Sequence, residues 1–486
     1  MEATRSFDPY AVFASSVRTH PDRIALSIGL QEWTYAQLEE HASAIAGWCE
    51  RYTPEGARIA VHGQKSLITY SAILGILRSG RSYVPLHPDH PPARWRTVIE
   101  RSGAVACIAG WEVEELLRNE VHVTVPDSPL QEEHGAVRSG NEAYVMFTSG
   151  STGGPKGVPI SRANVAAYLS HFLTAYDYGP EARFSQIFAL TFDLSVHDLF
   201  VCWGSGGCLC VPEQQGALTV ASYVERQKIT AWFSVPSHAA LLRRMRSLRP
   251  GVFPRLRHSF FCGEALPWDV AKAWCEAAPN SNVVNLYGPT EATIAITAFD
   301  VRSAAGGIGT VPLGVPIGTN RTLVVPVADR DEGELLLSGP QVSSGYLEDA
   351  GSTEQAFVKI DGQPGIWYRT GDLVRKAEEG TLHFIGRSDD QVKVLGHRVE
   401  PGEVDSVLRA LLPDVSILTL PMAESGTTRL VTFIDQELET SGLLEELRSE
   451  LPPYMVPERI LFVDTFPLTA HGKVDRKALI EMAKHG

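Results

Sequence analysis

Residues 144–158 join an apolar run to a loop of glycines, hydroxyl residues and one lysine, Lys156. Glycine allows backbone N–H groups to approach phosphate oxygens closely, and a nearby cation adds attraction for the anion. The hydroxyl donors of the loop belong to Thr148, Ser149, Ser151 and Thr152. The P-loop pattern is not met, because Pro155 precedes the lysine and Gly157 follows it. The segment predicts a phosphate-binding loop of another type, and a flexible Gly/Ser linker is the alternative.

Four charged residues further along the chain have ordinary interpretations when each is taken alone. Asp193 precedes a helix-like apolar run, where aspartate is a favoured N-cap. Asp372 stands in a Thr-Gly-Asp turn, and Glu291 could be a solvated surface residue. Lys473 is one of several charges near the C-terminus. A functional interpretation of these residues therefore depends on the pattern of the whole chain.

Through most of the chain, short apolar runs alternate with amphipathic stretches. Strands that alternate with helices predict α/β layers with a largely parallel sheet. Between residues 321 and 346 the pattern changes to short strands joined by polar and glycine turns, which indicates a β-rich subdomain. The predicted fold class is thus α/β, in a large N-terminal domain that includes this subdomain.

A second change in pattern occurs at residues 386–391. Beyond it, Val404, Val407, Leu408 and Leu411 have the spacing of one helix face, and strand-like runs follow. The sequence therefore predicts a small α+β domain over residues 389–486, after a large domain over residues 1–388. The charged bridge around Asp389 is the predicted linker or hinge.

Composition excludes several classes of protein. The chain has 486 residues and a net charge of −14, which is a poor match for general nucleic-acid or anionic-membrane binding. No apolar run approaches the roughly 20 residues that span a bilayer. The N-terminus shows no secretory signal, and the seven cysteines include no CxxC pair, which favours buried reduced thiols over a zinc site. We therefore expect a cytoplasmic protein.

The loop at residues 144–158 closely resembles the signature of the adenylate-forming superfamily, which includes acyl-CoA synthetases, luciferases and amino-acid adenylation domains. Six further segments resemble motifs of that superfamily in the same order. They lie at residues 77–94, 285–291, 333–339, 368–373, 386–393 and 467–476. The resemblance covers essentially the whole chain.

The resemblance implies an ATP site with Mg²⁺. Tyr287 would stack on adenine, Asp372 would accept from the ribose hydroxyls, and Glu291 would be the Mg²⁺ ligand. Lys473 would bridge the substrate carboxylate and the nucleotide oxygens, and Thr148 would assist catalysis. The implied nucleotide-binding residues are Thr148, Ser149, Ser151, Thr152, Lys156, Gly263, Glu264, Ala265, Asn285, Tyr287, Gly288, Thr290, Asp372 and Arg387.

The resemblance is strongest to stand-alone enzymes like the adenylation domains of nonribosomal peptide synthetases. Asp193 matches the aspartate that faces the substrate ammonium in such domains, and a buried carboxylate needs a cationic partner. The implied substrate-binding residues are Asp193, Leu194, His197, Phe233, Phe260, Cys262, Leu286, Ile294 and Ala295. Because most are apolar and two are bulky phenylalanines, we expect a small neutral amino acid: alanine first, then glycine or serine, with proline as the runner-up.

The implied enzyme is an AMP-forming amino acid–carrier protein ligase. It would form aminoacyl-AMP and then transfer the aminoacyl group to a phosphopantetheine thiol during secondary-metabolite or antibiotic biosynthesis. The small domain would rotate about Asp389 between the two steps, exchanging the Lys473 loop for the loop around Gly396. The chain ends shortly after Lys473, so we expect the carrier protein to be a separate chain that is loaded in trans.

Three other functions are alternatives for this sequence. An acyl-CoA or aryl-CoA ligase is the main rival within the superfamily, and Asp193 argues against it. A non-catalytic binding module on the same fold is the second, although Lys473, Glu291 and Asp372 are all present. A tRNA synthetase is disfavoured because the characteristic HIGH- and KMSKS-like segments are missing from the sequence.

Overall fold

The structure is a computed structural model. It describes residues 6–109, 122–124, 135–150, 154–212, 220–304, 306–326, 332–424, 427–438, 440–468 and 474–485. Ser151, Thr152 and Lys473, three of the residues implicated in catalysis or nucleotide binding, lie outside the described residues.

The contacts divide the chain into two compact units. The first comprises Met1–Pro88, Ile99–Met146 and Gly157–Ser388. The second comprises Asp389–Gly486 together with two earlier segments, Asp89–Val98 and Phe147–Lys156.

The described helices, in chain order, are α1 (Pro9–Thr19), α2 (Tyr35–Tyr52), α3 (Leu67–Arg78), α4 (Pro92–Ser102), α5 (Arg162–Ala175), α6 (Leu194–Ser205), α7 (Val220–Arg226), α8 (Pro236–Arg244), α9 (Trp268–Ala277), α10 (Ala350–Ala356), α11 (Pro401–Leu411), α12 (Thr440–Glu450) and α13 (Arg476–His485). None of them combines the length and the apolar character that a bilayer span requires.

The described strands are β1 (Ile24–Ile28), β2 (Gln31–Thr34), β3 (Arg58–His62), β4 (Ser82–Leu86), β5 (Ala106–Ile108), β6 (His122–Thr124), β7 (Glu142–Thr148), β8 (Lys156–Ser161), β9 (Arg183–Ser185), β10 (Cys208–Val211), β11 (Ala231–Ser234), β12 (His258–Phe261), β13 (Asn282–Tyr287), β14 (Thr297–Asp300), β15 (Val315–Pro316), β16 (Arg321–Pro326), β17 (Glu332–Ser338), β18 (Phe357–Val358), β19 (Trp367–Lys376), β20 (Leu382–Arg387), β21 (Val392–Val394), β22 (His397–Val399), β23 (Ile417–Glu424), β24 (Thr427–Ile434) and β25 (Arg459–Phe462).

Two large sheets contain most of the strands in the first unit. The nine-stranded sheet has the order β15-β14-β13-β12-β11-β9-β10-β1-β2, and the pairs from β13 through to β1 are parallel. The six-stranded sheet has the order β6-β5-β3-β4-β7-β8. Parallel strands joined through helices, with helices packed against them, confirm the predicted α/β layers. The antiparallel sheet β16-β17-β19-β18, with β20 on β19, confirms the predicted β-rich part.

The adjacent residues Phe260 and Phe261 belong to different parts of the core, because neighbouring side chains of strand β12 point to opposite faces of the sheet. Residue Phe233 of β11 pairs with Phe260 of β12, and Phe260 pairs with Val284 of β13. Successive side chains of a strand point to opposite faces. Phe260 therefore packs into one hydrophobic cluster, and Phe261 packs into another, against Trp274 at a ring distance of 5.2 Å.

The second unit confirms the predicted small α+β fold. Its three-stranded sheet, β23-β24-β25, shares a core with helix α11, where Val404 and Leu408 are fully buried. Strands β21 and β22 form a hairpin whose two turn residues, Leu395 and Gly396, have φ values of 51° and 84°. Positive φ at both positions is typical of a type I′ turn, which accounts for the glycine.

Candidate active site

The predicted substrate pocket lies at the carboxyl ends of three neighbouring parallel strands, β11, β12 and β13. In open α/β sheets this edge is the usual place for a ligand site. Phe233, Cys262 and Leu286 lie at or just beyond the strand ends, and helix α6 begins nearby at Leu194. All seven apolar residues predicted to line the pocket belong to one hydrophobic cluster: Leu194, Phe233, Phe260, Cys262, Leu286, Ile294 and Ala295.

Asp193 occupies the N-cap position of α6, but its side chain makes no capping hydrogen bond to that helix. Its Oδ2 instead accepts a hydrogen bond from the backbone N–H of Ile294 at 3.3 Å. The residue is only 3% exposed. Burial, together with the charge of Asp193, raises the pKa of Tyr83 and of Tyr144. The carboxylate therefore does not cap its helix. It accepts a hydrogen bond from a residue of the apolar cluster instead.

His197 lies one helical turn after Asp193 and is enclosed by aromatic rings. Its Nδ1 is 2.8 Å from the hydroxyl of Tyr168, and its ring lies 4.8 Å from Phe233, 5.1 Å from Phe260 and 4.9 Å from Phe172. Burial, with a smaller contribution from His258, lowers the pKa of His197 to about 3. The imidazole is therefore neutral at pH 7.

Tyr168 and Phe172, both on α5, were missed by the sequence analysis. They are fully buried, and they stack on each other at 4.5 Å. Their spacing of four residues places them on one helix face, which is typical of core packing as much as of a binding site. Their contacts with His197, and the ring contact of Phe172 with Phe260 at 5.7 Å, connect them to the predicted pocket residues.

Asp372, Tyr287 and Arg387 form a compact polar group. The hydroxyl of Tyr287 donates to Asp372 Oδ2 at 2.5 Å, and Arg387 pairs with Asp372 Oδ1 at 2.5 Å. A carboxylate offers about four acceptor positions, so both oxygens can accept further hydrogen bonds. Burial and the charge of Asp372 raise the pKa of Tyr287, which keeps its hydroxyl protonated as a donor.

The side-chain amide of Asn285 uses its nitrogen, but not its oxygen, in a hydrogen bond among the described residues. Its Nδ2 donates to the carbonyl of Pro312 at 2.8 Å, while its Oδ1 is buried and finds no hydrogen-bond partner in the described part of the chain. An exocyclic amino group, such as that of adenine, is the kind of donor this oxygen needs.

Gly263 and Gly288, the two glycines implied in nucleotide binding, are positions where another residue would not fit easily. Gly288 has no room for a Cβ, which would lie 2.6 Å from the Cα of Ala295. Gly263 has a φ of 92°, a conformation that favours glycine. Glu264 follows it, and its Oε2 accepts from the backbone N–H of Ser237 at 2.7 Å, at the start of α8. Ala265 is exposed.

Glu291 lies in the short 3-10 helix Thr290–Ala292 and is 1% exposed. Its Oε1 accepts from the hydroxyl of Tyr346 at 2.7 Å, and its backbone carbonyl accepts from the N–H of Ser343 at 2.8 Å. Thr290 begins this helix and is half-buried. Tyr346 was missed by the sequence analysis, because a tyrosine in a Gly-Tyr-Leu turn carries no signal of such a role.

A magnesium ion is compatible with these residues. Among the described residues, no group of three or more His, Cys, Asp or Glu side chains is arranged to hold a metal. Mg²⁺ is commonly bound through one or two carboxylates together with substrate phosphates and waters, so the hard oxygen ligands of Glu291 and a nucleotide suffice.

Strands β7 and β8 flank the predicted phosphate loop. Thr148 ends β7 and Lys156 begins β8, and both are partly exposed. Ser149 is buried, and its hydroxyl donates to the carbonyl of Arg398 at 2.7 Å while it accepts from the N–H of Glu400 at 3.1 Å. The Ser149 hydroxyl therefore makes its hydrogen bonds within the second unit, which includes both this loop and residues 398–400.

Comparison of the sequence with known proteins identifies one family. The family model described as "AMP-binding enzyme" matches residues 13–347. The D-alanine–D-alanyl carrier protein ligase of Lacticaseibacillus rhamnosus is 33% identical over 96% of this chain and 97% of its own length. Nonribosomal peptide synthetase 2 of Cochliobolus heterostrophus is 32% identical over 96% of this chain, which spans 9% of that much longer protein.

A solved structure shows the same fold over the whole length. The Vibrio cholerae adenylation domain AlmE, in complex with glycyl-adenosine-5'-phosphate, is 28% identical, with a TM-score of 0.87, over 100% of this chain and 99% of its own. The chain belongs to the AMP-binding enzyme family, and the resemblance to the adenylate-forming superfamily is confirmed. It is an AMP-forming ligase, and AMP-binding adenylation enzymes use ATP.

Proposed function

We propose that this enzyme activates a small neutral amino acid with ATP and transfers it to the phosphopantetheine thiol of a separate carrier protein. The observation that carries this proposal is Asp193, a buried carboxylate that does not cap its helix and lies beside a compact apolar cluster. An α-ammonium group is the cation that such a carboxylate would bind, and a fatty or aryl acid has none.

The first half-reaction joins the amino acid to the nucleotide. The amino-acid carboxylate attacks the α-phosphorus of ATP, a new phosphorus–oxygen bond forms, and pyrophosphate leaves with the electron pair of the broken bond. Asp193 would hold the ammonium, while Asn285, Tyr287, Asp372 and Arg387 would orient the adenosine. Lys473 would offset the charge that accumulates where two anions meet, which stabilises the transition state more than the ground state.

The other nucleotide contacts are proposed on the same basis. The phosphates would meet Thr290 and the loop around Lys156, with Thr148 assisting. Glu291 would hold Mg²⁺, which, when bound, neutralises phosphate charge. The remaining proposed contacts to the nucleotide are Ser149, Ser151, Thr152, Gly263, Glu264, Ala265 and Gly288.

The second half-reaction transfers the aminoacyl group. A thiolate attacks the carbonyl carbon of the aminoacyl-adenylate, a thioester forms, and AMP leaves. The name of the Lacticaseibacillus ligase supports a carrier protein as the thiol donor, and the similarity to a nonribosomal peptide synthetase supports a place in natural-product biosynthesis.

We also propose two domains, 1–388 and 389–486, with Asp389 as the hinge for a rotation between the half-reactions. Asp389 is exposed, and the division of the chain into two compact units between Ser388 and Asp389 supports this choice. The hairpin around Gly396 would replace the Lys473 loop at the second step.

The proposal is tested by ATP–pyrophosphate exchange with the twenty common amino acids, D-alanine, and a matched panel of fatty and aryl acids. We expect exchange with alanine, glycine or serine and none with the acids that lack an amino group. Exchange that depends only on the fatty or aryl acids would instead identify an acyl-CoA or aryl-CoA ligase. Folded enzyme that binds ATP but exchanges with no acid would favour the non-catalytic module.

Replacing Phe233 or Phe260 with alanine is expected to enlarge the pocket. Both rings are 1% exposed and contact the imidazole of His197. Whichever ring lines the pocket should, when removed, raise kcat/KM for leucine relative to alanine by at least about 10-fold, since even one extra methylene that fits contributes about 1–3 kcal/mol. Exchange kinetics with both amino acids measure this ratio.

Phe261→Ala is the matched control for that experiment. It removes the same ring from the adjacent position, but Phe261 packs on the opposite face, against Trp274. It should therefore lower stability without changing the leucine-to-alanine ratio. Strong activation of leucine by the unaltered enzyme, with alanine inactive, would contradict the small-pocket interpretation.

Tyr346→Phe is expected to weaken Mg²⁺ use while the ring stays packed on Phe357, which lies 5.6 Å away. The change deletes only the hydroxyl that orients the Glu291 carboxylate. Residues that orient metal ligands typically contribute 10- to 100-fold, so the Mg²⁺ concentration for half-maximal exchange should rise by about 10-fold. ATP affinity measured by calorimetry in EDTA should stay unchanged, and an equal loss with and without Mg²⁺ would show that the hydroxyl has another role.

A further inference from the structure

The turn after Glu291 has a costly backbone conformation. Thr293 and Ile294 have φ values of 55° and 71°, in the left-handed region that β-branched residues rarely adopt. Such positions cost on the order of 1–3 kcal/mol each and persist only when the surrounding structure holds them. This turn presents the N–H of Ile294 to Asp193, and it supplies Ile294 and Ala295 to the pocket cluster.

One buried side chain holds this turn. Gln341 is 1% exposed, and its Nε2 lies 2.7 Å from the carbonyl of Ala295, 3.2 Å from that of Thr293 and 3.4 Å from that of Ala292. The backbone of Gln341 also contacts the turn, since its carbonyl accepts from the hydroxyl of Thr293 at 2.6 Å. A hydrogen bond from Asn320 fixes the orientation of the Gln341 side-chain amide, because Asn320 Nδ2 donates to Gln341 Oε1 at 2.6 Å.

We propose that Gln341 is a positioning residue for amino-acid recognition. The side-chain amide of Gln341 donates hydrogen bonds to the backbone carbonyls of the turn. These bonds keep the Ile294 N–H directed at Asp193 and keep Ile294 and Ala295 in the pocket wall. This inference rests on the proposed function, in which Asp193 binds the substrate ammonium.

Glu291, the proposed metal ligand in the same segment, is held by hydrogen bonds from other residues. Glu291 is held through its backbone by Ser343 and through its side chain by Tyr346. Neither of these hydrogen bonds involves Gln341. Loss of the Gln341 amide should therefore disturb the pocket more than the ATP site, which separates a positioning role from a general contribution to stability.

The test is Gln341→Met, which keeps the chain length of the side chain and removes its amide. Misplacement of a binding group by about 1 Å can cost on the order of 100-fold, so we expect the amino-acid KM to rise by roughly 10- to 100-fold. The ATP KM should change by less than about threefold by the same reasoning. Exchange kinetics with each substrate varied in turn give both values.

Asn320→Ala provides a second, milder variant. It leaves the Gln341 amide in place but removes the hydrogen bond that orients it, so it should raise the amino-acid KM by a smaller factor in the same direction. An unchanged amino-acid KM in Gln341→Met, or an equal rise for both substrates, would overturn the proposal. Loss of folding or of ATP binding in that variant would also count against it, by showing a structural role.

The proposed function and this inference can fail separately. If the unaltered enzyme binds ATP but activates no amino acid, the proposed function fails and this inference fails with it. If the unaltered enzyme activates alanine and Gln341→Met does so with unchanged constants, only the inference fails.

Discussion

Replacing Lys473 with alanine is expected to lower the rate of aminoacyl-adenylate formation by about 10²- to 10³-fold, by analogy with the loss of one preorganised donor to a developing anion. The attack of a carboxylate on a phosphate brings two anions together, and the resemblance places Lys473 where its charge would offset them. ATP–pyrophosphate exchange measures this half-reaction.

The second half-reaction provides the internal control. Thioester formation from preformed aminoacyl-adenylate should fall far less in Lys473→Ala, because the hairpin around Gly396 is proposed to replace the Lys473 loop at that step. Lys477→Ala is the matched variant: it removes an exposed lysine four residues later, and both rates should stay near those of the unaltered enzyme. Equal losses in both half-reactions, or none in either, would show that the role assigned to Lys473 is wrong.

Asp193→Ala is expected to raise the amino-acid KM far more than the ATP KM. Removing one partner of a buried ion pair typically costs about 3–5 kcal/mol, which corresponds to a loss of affinity between roughly 10²-fold and several thousandfold. Asp193 is 3% exposed, and the α6 helix makes no use of its side chain as a cap, so the loss should appear in substrate binding and leave the helix intact.

Asp193→Asn separates charge from shape. It preserves an acceptor for the Ile294 N–H but removes the negative charge, so the amino-acid KM should rise nearly as much as in Asp193→Ala. Thermal unfolding should be little changed in Asp193→Asn, because the hydrogen bond to Ile294 can persist. If ATP affinity falls in parallel with amino-acid affinity, Asp193 supports the fold of the whole site.

Much of the fold could be predicted from the sequence because its signals are local. The alternation of apolar runs with amphipathic stretches predicted the parallel layers around β3, β4, β11 and β12. The spacing of Val404 and Leu408 predicted helix α11, in which both residues are buried. Such patterns reflect the 3.6- and 2-residue periods of helices and strands, which a sequence displays directly.

The candidate site was predicted to a different extent for each kind of residue. Glu291, Asp372 and Asp193 belong to contiguous motifs, so their positions could be read from the sequence. Whether Asp193 caps a helix was open, because an aspartate before a helix looks the same in either role. The hydrogen bond to Ile294, 101 residues away along the chain, is a tertiary contact.

The sequence by itself determined the family and the layered α/β fold and predicted the candidate site residues, since each of these is encoded in short contiguous stretches. Only the tertiary structure decided which residues support them. Tyr346 reaches Glu291 across 55 residues, and Gln341 reaches the Thr293 carbonyl across 48. The positive φ values of Thr293 and Ile294 have no local signal, because β-branched residues disfavour them. Long-range hydrogen bonds hold that conformation, and no short stretch of sequence contains both of their ends.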